Sequence, residues 1–300
     1  MNNKFDFSSK FRMANIFSLF IFISSIAFIL FKGLNYGIDF KGGTLIELRA
    51  NNTDAASIRS TLNSMNLGDV NVKKFGKEGD YLIKVEQKEN NDNKIIPLIK
   101  KKLSENLNTE TNFRRVENVG PKVSSELLQS GIIAISLSLA AMLFYIWIRF
   151  EWQFSIGSII ALFHDVVITM GIFSILSLEI NLSIIAAVLT IVGYSMNDTV
   201  VIYDRIRENL NKYTRLNISE IANLSINDTL ARTIITSATT LLALLSIFIL
   251  GGEILRGFSF AMILGVIIGT YSSIFVASPM LKFFKVTYKT LEKEEEKIVP

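Results

Sequence analysis

Residues 182–209 read LSIIAAVLTIVGYSMNDTVVIYDRIREN, and two features of this stretch decide the fold. From Leu182 to Ile202 it is apolar for about the 20 residues that a helix needs to cross a bilayer. Within that run stands Asp198, with Ser195, Asn197 and Thr199 beside it. A carboxylate in hydrocarbon costs at least about 3 kcal/mol, so an acid in a span marks an ion path, a proton site or a buried ion pair.

Working outward, five more runs have comparable length and character: Met13–Phe31, Gly131–Ile148, Phe154–Leu178, Thr233–Gly252 and Phe258–Leu281. Half of the 300 residues are hydrophobic and only 19% are charged, which excludes an ordinary soluble domain. The pattern predicts a polytopic α-helical membrane protein with six transmembrane helices. The first run exceeds a signal-peptide core and no small-residue cleavage site follows it, so it reads as a span. Basic residues set the orientation. With the N-terminus inside, Lys4, Lys10, Arg12, Arg149, Arg205, Arg207, Lys212, Arg215 and Arg232 all fall on the cytoplasmic side. The short outer loops then hold only Arg256, as the positive-inside rule requires. The expected division is a cytoplasmic N-terminus at 1–12, helix one at 13–32, an extracytoplasmic domain at 33–128, a five-helix region at 129–281 and a cytoplasmic tail at 282–300.

The insert at 33–128 has its own periodicity. GTLIELRA (43–50), DVNVKKFG (69–76), DYLIKVEQ (80–87) and TNFRRVENV (111–119) alternate like strands. TDAASIRSTLNSMN (53–66) reads as a helix capped by Thr53, and NDNKIIPLIKKKLSENL (91–107) as a second, with Pro97 in or near its first turn. The order βαββαβ predicts a ferredoxin-like α+β domain between helices one and two. Residues 203–231 read as a cytoplasmic connection holding a short amphipathic helix on the inner membrane surface, and 291–300 as a solvated charge run.

The absence of cysteine removes disulfide and thiolate chemistry, and no Gly-rich nucleotide loop occurs. No enzymatic activity, cofactor or metal is expected; any energy must come from an ion gradient or a partner. Asp198 and Arg232 both lie toward the cytoplasmic side, Asp198 at roughly 9 Å of helix rise from Asp204, so they are placed to meet. Burial and a nearby guanidinium act on a carboxylate's proton affinity in opposite directions, which suits an acid that takes up and releases a proton. The bland alternative for the pair is a static tie between helices, and for Arg232 snorkelling to the headgroups. Thr236 and Thr240 continue the Arg232 face. His164 and Asp165, in the third span, are a possible relay. In the sixth span Ala261, Gly265, Gly269, Ser273 and Ala277 form a small-residue stripe that predicts close helix contact. GIDFKGG (37–43) follows the first span and suits a tight turn at Gly42 and Gly43.

In this order around six spans, YGIDFKGGT, VGPKVSSEL, FEWQFSIGSIIALFHDV, GYSMNDTVVIYDRIREN, RTIITSATTLLA and GTYSSIFVASP closely resemble the SecF family of protein-translocase subunits, across nearly the whole chain. The departures are Ser124, where that family usually has glycine, and Ile235, where asparagine is common. The resemblance implies an RND-like bundle completed by SecD, located in the bacterial inner membrane with both termini cytoplasmic. It implies use of the proton-motive force in late preprotein translocation, with protons as the coupling ion. By matching motif, Asp198 is the proton carrier and Arg232 and Thr236 work beside it; Asn197 and Ser195, its neighbours in sequence, are further supporting candidates. Gly37, Asp39, Gly42 and Gly43 form the family motif at the base of the outer domain. Implied partners are SecD, SecYEG, indirectly SecA, with YajC and YidC as further candidates, and unfolded preprotein as substrate. The other classes are an RND-like exporter half for lipids or small molecules and a non-conducting scaffold.

Overall fold

The computed structural model describes residues 5–51, 53–65, 67, 70–74, 77–85, 92–107 and 111–291. The anticipated unstructured tail at 292–300, Lys4, and the expected strand ends at 75–76 and 86–87 lie outside the described residues. The chain opens with α1 (Phe11–Lys32), β1 (Asn35–Tyr36) and α2 (Ile38–Lys41). The outer domain follows as β2 (Gly43–Ala50), α3 (Ala55–Asn63), β3 (Val70–Lys74), β4 (Asp80–Val85), α4 (Asp92–Asn106) and β5 (Thr111–Val119). Next come α5 (Pro121–Arg149), α6 (Trp152–Ile175), β6 (Glu179–Ile180), α7 (Leu182–Lys212) and α8 (Ile218–Leu250). The last span is composite: α9 (Gly252–Ser272), a π-helical turn (Ser273–Ala277) and α10 (Ser278–Phe283). Among the described residues, six helical spans are long and apolar enough to cross a membrane, and the chain is a multi-pass membrane protein.

The outer domain is the expected βαββαβ unit, with an antiparallel sheet in the order β3-β4-β2-β5. Strand alternation sends Ile46, Leu48, Val72, Tyr81 and Ile83 to one face, where they pack with Ile58 and Leu62 of α3 and Ile99 and Leu103 of α4. The cap of α3 is Asp54 rather than Thr53: its backbone is extended and its carboxylate accepts from Ser57 N at 2.8 Å. Pro97 sits early in the second turn of α4, next to the first.

The helices of the bundle run past the expected span limits because their stop signals lie further out. Pro121, at the first position after the cap residue Gly120, starts α5 well before residue 131. The third span ends at Ile175 instead of Leu178, where the chain turns into β6. The fourth continues to Lys212, beyond Ile202. A capping box of Asn217 and Glu220 starts α8, and that helix continues unbroken to Leu250. The separate amphipathic surface helix is therefore not found. Its apolar face, with Ile221 and Ile226 buried, packs onto the bundle instead of lying free, and Asn209 of α7 donates to Ser225 at 2.9 Å. The charges of DRIREN tie helices together: Arg207 to buried Glu151, Arg149 to Asp204, and Arg205 to Asp228.

The small-residue stripe packs against α7 of the same chain. A Cβ at Gly265 would collide with Ile191, and one at Gly269 would sit 2.9 Å from the Ser195 Cβ. This close approach places α9 directly against the Asp198 region.

Candidate functional site

Asp198 is 3% exposed on α7. Its Oδ2 accepts a hydrogen bond from Thr270 Oγ1 of α9 at 3.3 Å, and Thr270 in turn lies 2.8 Å from Ser237 Oγ of α8. Three helices thus converge on the acid through hydroxyls. The expected supporting residues sit differently. Arg232 of α8 is exposed and makes no ion pair with Asp198. Thr236 spends its hydroxyl on its own helix, donating toward the carbonyls of Arg232 and Thr233, both at 3.0 Å. Asn197 is exposed and stands apart from the buried cluster.

Ser195 is buried, and its partner is the other acid. Its Oγ donates to Asp165 Oδ2 at 2.6 Å, and Ser272 Oγ of α9 donates to the same oxygen at 2.8 Å. Asp165 is fully buried, and its Oδ1 lies 2.9 Å from His164 Nδ1. The expected relay pair is therefore joined to α7 one helical turn from Asp198. Next to it, Thr199 Oγ1 meets Ser273 Oγ at 2.7 Å. The π turn adds a residue to this part of the last span and frees backbone carbonyls; Ser278 Oγ donates to the Ser273 carbonyl at 2.9 Å and Tyr203 Oη to the Ala277 carbonyl at 2.9 Å.

Sequence reading missed Thr270, Ser237 and Ser272. The available signal was the small-residue stripe, which names the face of α9 that meets α7. Thr270 and Ser272 flank that stripe, but hydroxyls are common in spans and most bond their own backbone.

Gly37, Asp39, Gly42 and Gly43 lie at the opposite end of α7, about 24 Å of helix rise from Asp198. Asp39 Oδ2 accepts from Leu182 N at 2.9 Å, placing a carboxylate on the N-terminus of α7, where the helix dipole favours it. Gly42 and Gly43 take positive φ, 81° and 137°, to turn the chain from α2 into β2. Ser124 Oγ donates to the Ile38 carbonyl at 3.3 Å. Parallel pairing of β1 with β6 and a Lys84–Glu179 ion pair complete this junction between outer domain and bundle. Among the described residues, no cluster of His, Cys, Asp and Glu is arranged to hold a metal ion.

Comparison with known proteins agrees with this geometry. Residues 99–287 match the family model described as protein export membrane protein SecD/SecF, C-terminal, and residues 27–54 match the SecD/SecF GG motif. The protein translocase subunit SecF of Rickettsia bellii is 48% identical over 282 residues, covering 93% of each chain. That of Rickettsia akari is 47% identical over 299 residues, covering 97% of each. The crystal structure of SecDF from Thermus thermophilus, a translocon-associated membrane protein, superposes with a TM-score of 0.85 at 36% identity. The match covers 95% of the present chain and 39% of the Thermus chain. A matched length, an inserted domain, six spans and the GG turn agree at every level, and the chain belongs to the SecF branch of the SecD/SecF family of protein-export membrane proteins.

Proposed function

We propose that this chain couples the proton-motive force to a late step of preprotein translocation across the bacterial inner membrane, with Asp198 as the group that takes up and releases the proton. The observation that carries this reading is the setting of Asp198: 3% exposed, bonded to one threonine hydroxyl, and without an ion-pair partner among the described residues. An acid locked into a buried ion pair serves as a scaffold; an acid held by one long hydroxyl bond can change its charge. Asp198 and the outer domain are joined by α7, whose N-terminus is held by Asp39. A change at the acid therefore has a rigid element through which to act outside.

The 39% share of the Thermus SecDF chain supports a second, SecD-type subunit that completes the bundle. In this reading the complex works beside the SecYEG channel, downstream of SecA, with YajC and YidC as accessory contacts and unfolded preprotein as substrate. Both termini are cytoplasmic. The chain catalyses no covalent reaction and takes no cofactor; the proton is the coupling ion. The test is Asp198→Asn in cells making only the substituted protein, scored by export of a signal-sequence reporter and, in parallel, by efflux of a lipophilic dye. Loss of export with efflux unchanged supports the proposal. Normal export defeats it, and loss of efflux alone favours a small-molecule exporter.

A further inference from the structure

The proposed mechanism leaves the second buried acid without a task, and Asp165 is the group at which the bundle is most tightly tied. Oδ2 receives the hydroxyls of Ser195 at 2.6 Å and Ser272 at 2.8 Å, both short, well-formed O–H···O bonds. Oδ1 faces His164 Nδ1 at 2.9 Å. The His164 ring lies parallel to Phe22 of α1, with centroids 6.2 Å apart, and its Nε2 is buried without a partner. One carboxylate thereby gathers α6, α7 and α9, and through its histidine α1. Among the described residues, His164 is the ionisable side chain bonded to it; α7 and α9 supply hydroxyls and α1 an aromatic ring.

The same two helices, α7 and α9, carry the Asp198–Thr270 bond. On α7, Ser195 and Asp198 are three residues apart and share a face. On α9, Gly269, Thr270 and Ser272 fall within a single turn, and Gly269 lies against Ser195 with no room for a methyl group. Packing that tight has no slack, so a displacement of α9 at Thr270 is passed to Ser272 and Ser195. When the proton gained by Asp198 sits on Oδ2, that O–H donates to Thr270 Oγ1 and the Thr270 hydrogen turns to another acceptor, with Ser237 the neighbour at 2.8 Å.

We propose that Asp165 is a positioning acid for the proton site, a three-donor latch holding α7 and α9 on α6, whose bonds loosen or tighten with the charge on Asp198. No proton is transferred to Asp165; the proton gained by Asp198 stays there, and the contribution of Asp165 is geometric. The inference rests on the reading of Asp198 as a titrating group. It accounts for the burial of an acid whose bonded ionisable neighbour among the described residues is its own histidine, and for the hydroxyls that two further helices direct at it.

The chain contains one histidine, so His164 reports on the latch without ambiguity. The experiment is ¹⁵N-histidine NMR of the full chain in phosphatidylglycerol–phosphatidylethanolamine bilayers. In the wild type, Nδ1 is expected to carry hydrogen toward Asp165. Asp198→Asn, which fixes the site uncharged, and Thr270→Val, which removes the bridging hydroxyl without changing size, are each expected to displace the His164 resonances by more than a linewidth. Asn197→Ala, on the exposed side of the same turn, is expected to leave them in place. Coincident resonances in wild type, Asp198→Asn and Thr270→Val would overturn the proposal, as would an unprotonated Nδ1 or an equal displacement by Asn197→Ala. Because the signal is independent of export, it separates a failed latch from a failed proton site: normal export in Asp198→Asn defeats the latter whatever the histidine shows.

Discussion

The outer domain and the membrane bundle differ in the small and polar residues they admit to their interiors. In the outer domain the interior is Ile46, Leu48, Tyr81, Ile83, Ile99 and Leu103, with Thr44 and Asp80 the buried polar side chains among the described residues. In the bundle, Phe31, Leu250 and Trp147 point outward, while Gly265, Gly269, Ser195, Ser272 and Ser273 join apolar side chains such as Ile191 and Val266 in the helix contacts. Water makes apolar burial the driving force in the first case. Lipid removes that force in the second, leaving close approach and hydrogen bonds to associate the helices. The bundle is itself graded. Over their apolar windows, α6, α7 and the last span are 56%, 50% and 56% buried, against 11%, 11% and 17% for α1, α5 and α8. The buried trio holds both acids.

The contrast can be broken by substitution. The largest effect should come from Ile83→Ala, at the fully buried centre of the outer sheet, which should destabilise that domain by about 2–5 kcal/mol in denaturant unfolding followed by hydrogen exchange. Gly265→Val should cost about 1–3 kcal/mol, read as faster thermal inactivation of the solubilised chain, because a side chain there must push Ile191 aside. A bundle indifferent to that change would mean that close approach is not what joins α7 to α9.

A smaller effect is expected at Asp80, where the outer domain admits a buried charge. The Arg49 guanidinium hydrogen-bonded to it, at 2.7 Å and 2.9 Å, holds its carboxyl below the usual carboxylate range, with burial opposing and Arg114 assisting. The folded state therefore binds the proton more weakly than the unfolded state. The stabilisation is complete above the unfolded value near about pH 4, and is lost as pH falls through the lower folded value. Asp80→Asn should cost about 1 kcal/mol at neutral pH and flatten the acid limb of the unfolding profile. Smallest of all, Phe31→Ala, at a position 91% exposed, should change stability by no more than about 0.5 kcal/mol.

The same contrast explains what was legible in the sequence. The strands of the outer domain were readable because alternation reports which side faces water, and the spans because length and hydropathy report the bilayer. The interior of the bundle was less readable. Apolar residues face lipid and neighbours alike, so the informative residues were the small ones, and the stripe from Ala261 to Ala277 correctly named the contact face of α9. Pairings across helices were not readable. Ser195 looked like a neighbour of Asp198 because it is close in sequence, yet its hydroxyl goes to Asp165 on another helix. Thr236 looked like a partner because it follows Arg232 by one turn, yet its hydroxyl returns to the backbone. The helical extension at 203–231 was misread because charge was taken as the end of a helix, whereas Arg205, Arg207 and Asp228 are paired between helices.

The central claim is that the charge on Asp198 changes during export. The most direct measurement uses proteoliposomes containing this chain, its SecD-type partner and the channel, loaded with a preprotein halted partway across after ATP is consumed. On imposing a proton-motive force, the wild-type complex is predicted to complete translocation, while the Asp198→Asn complex stays at the level seen without a gradient. Completion at equal rates in both would contradict the account.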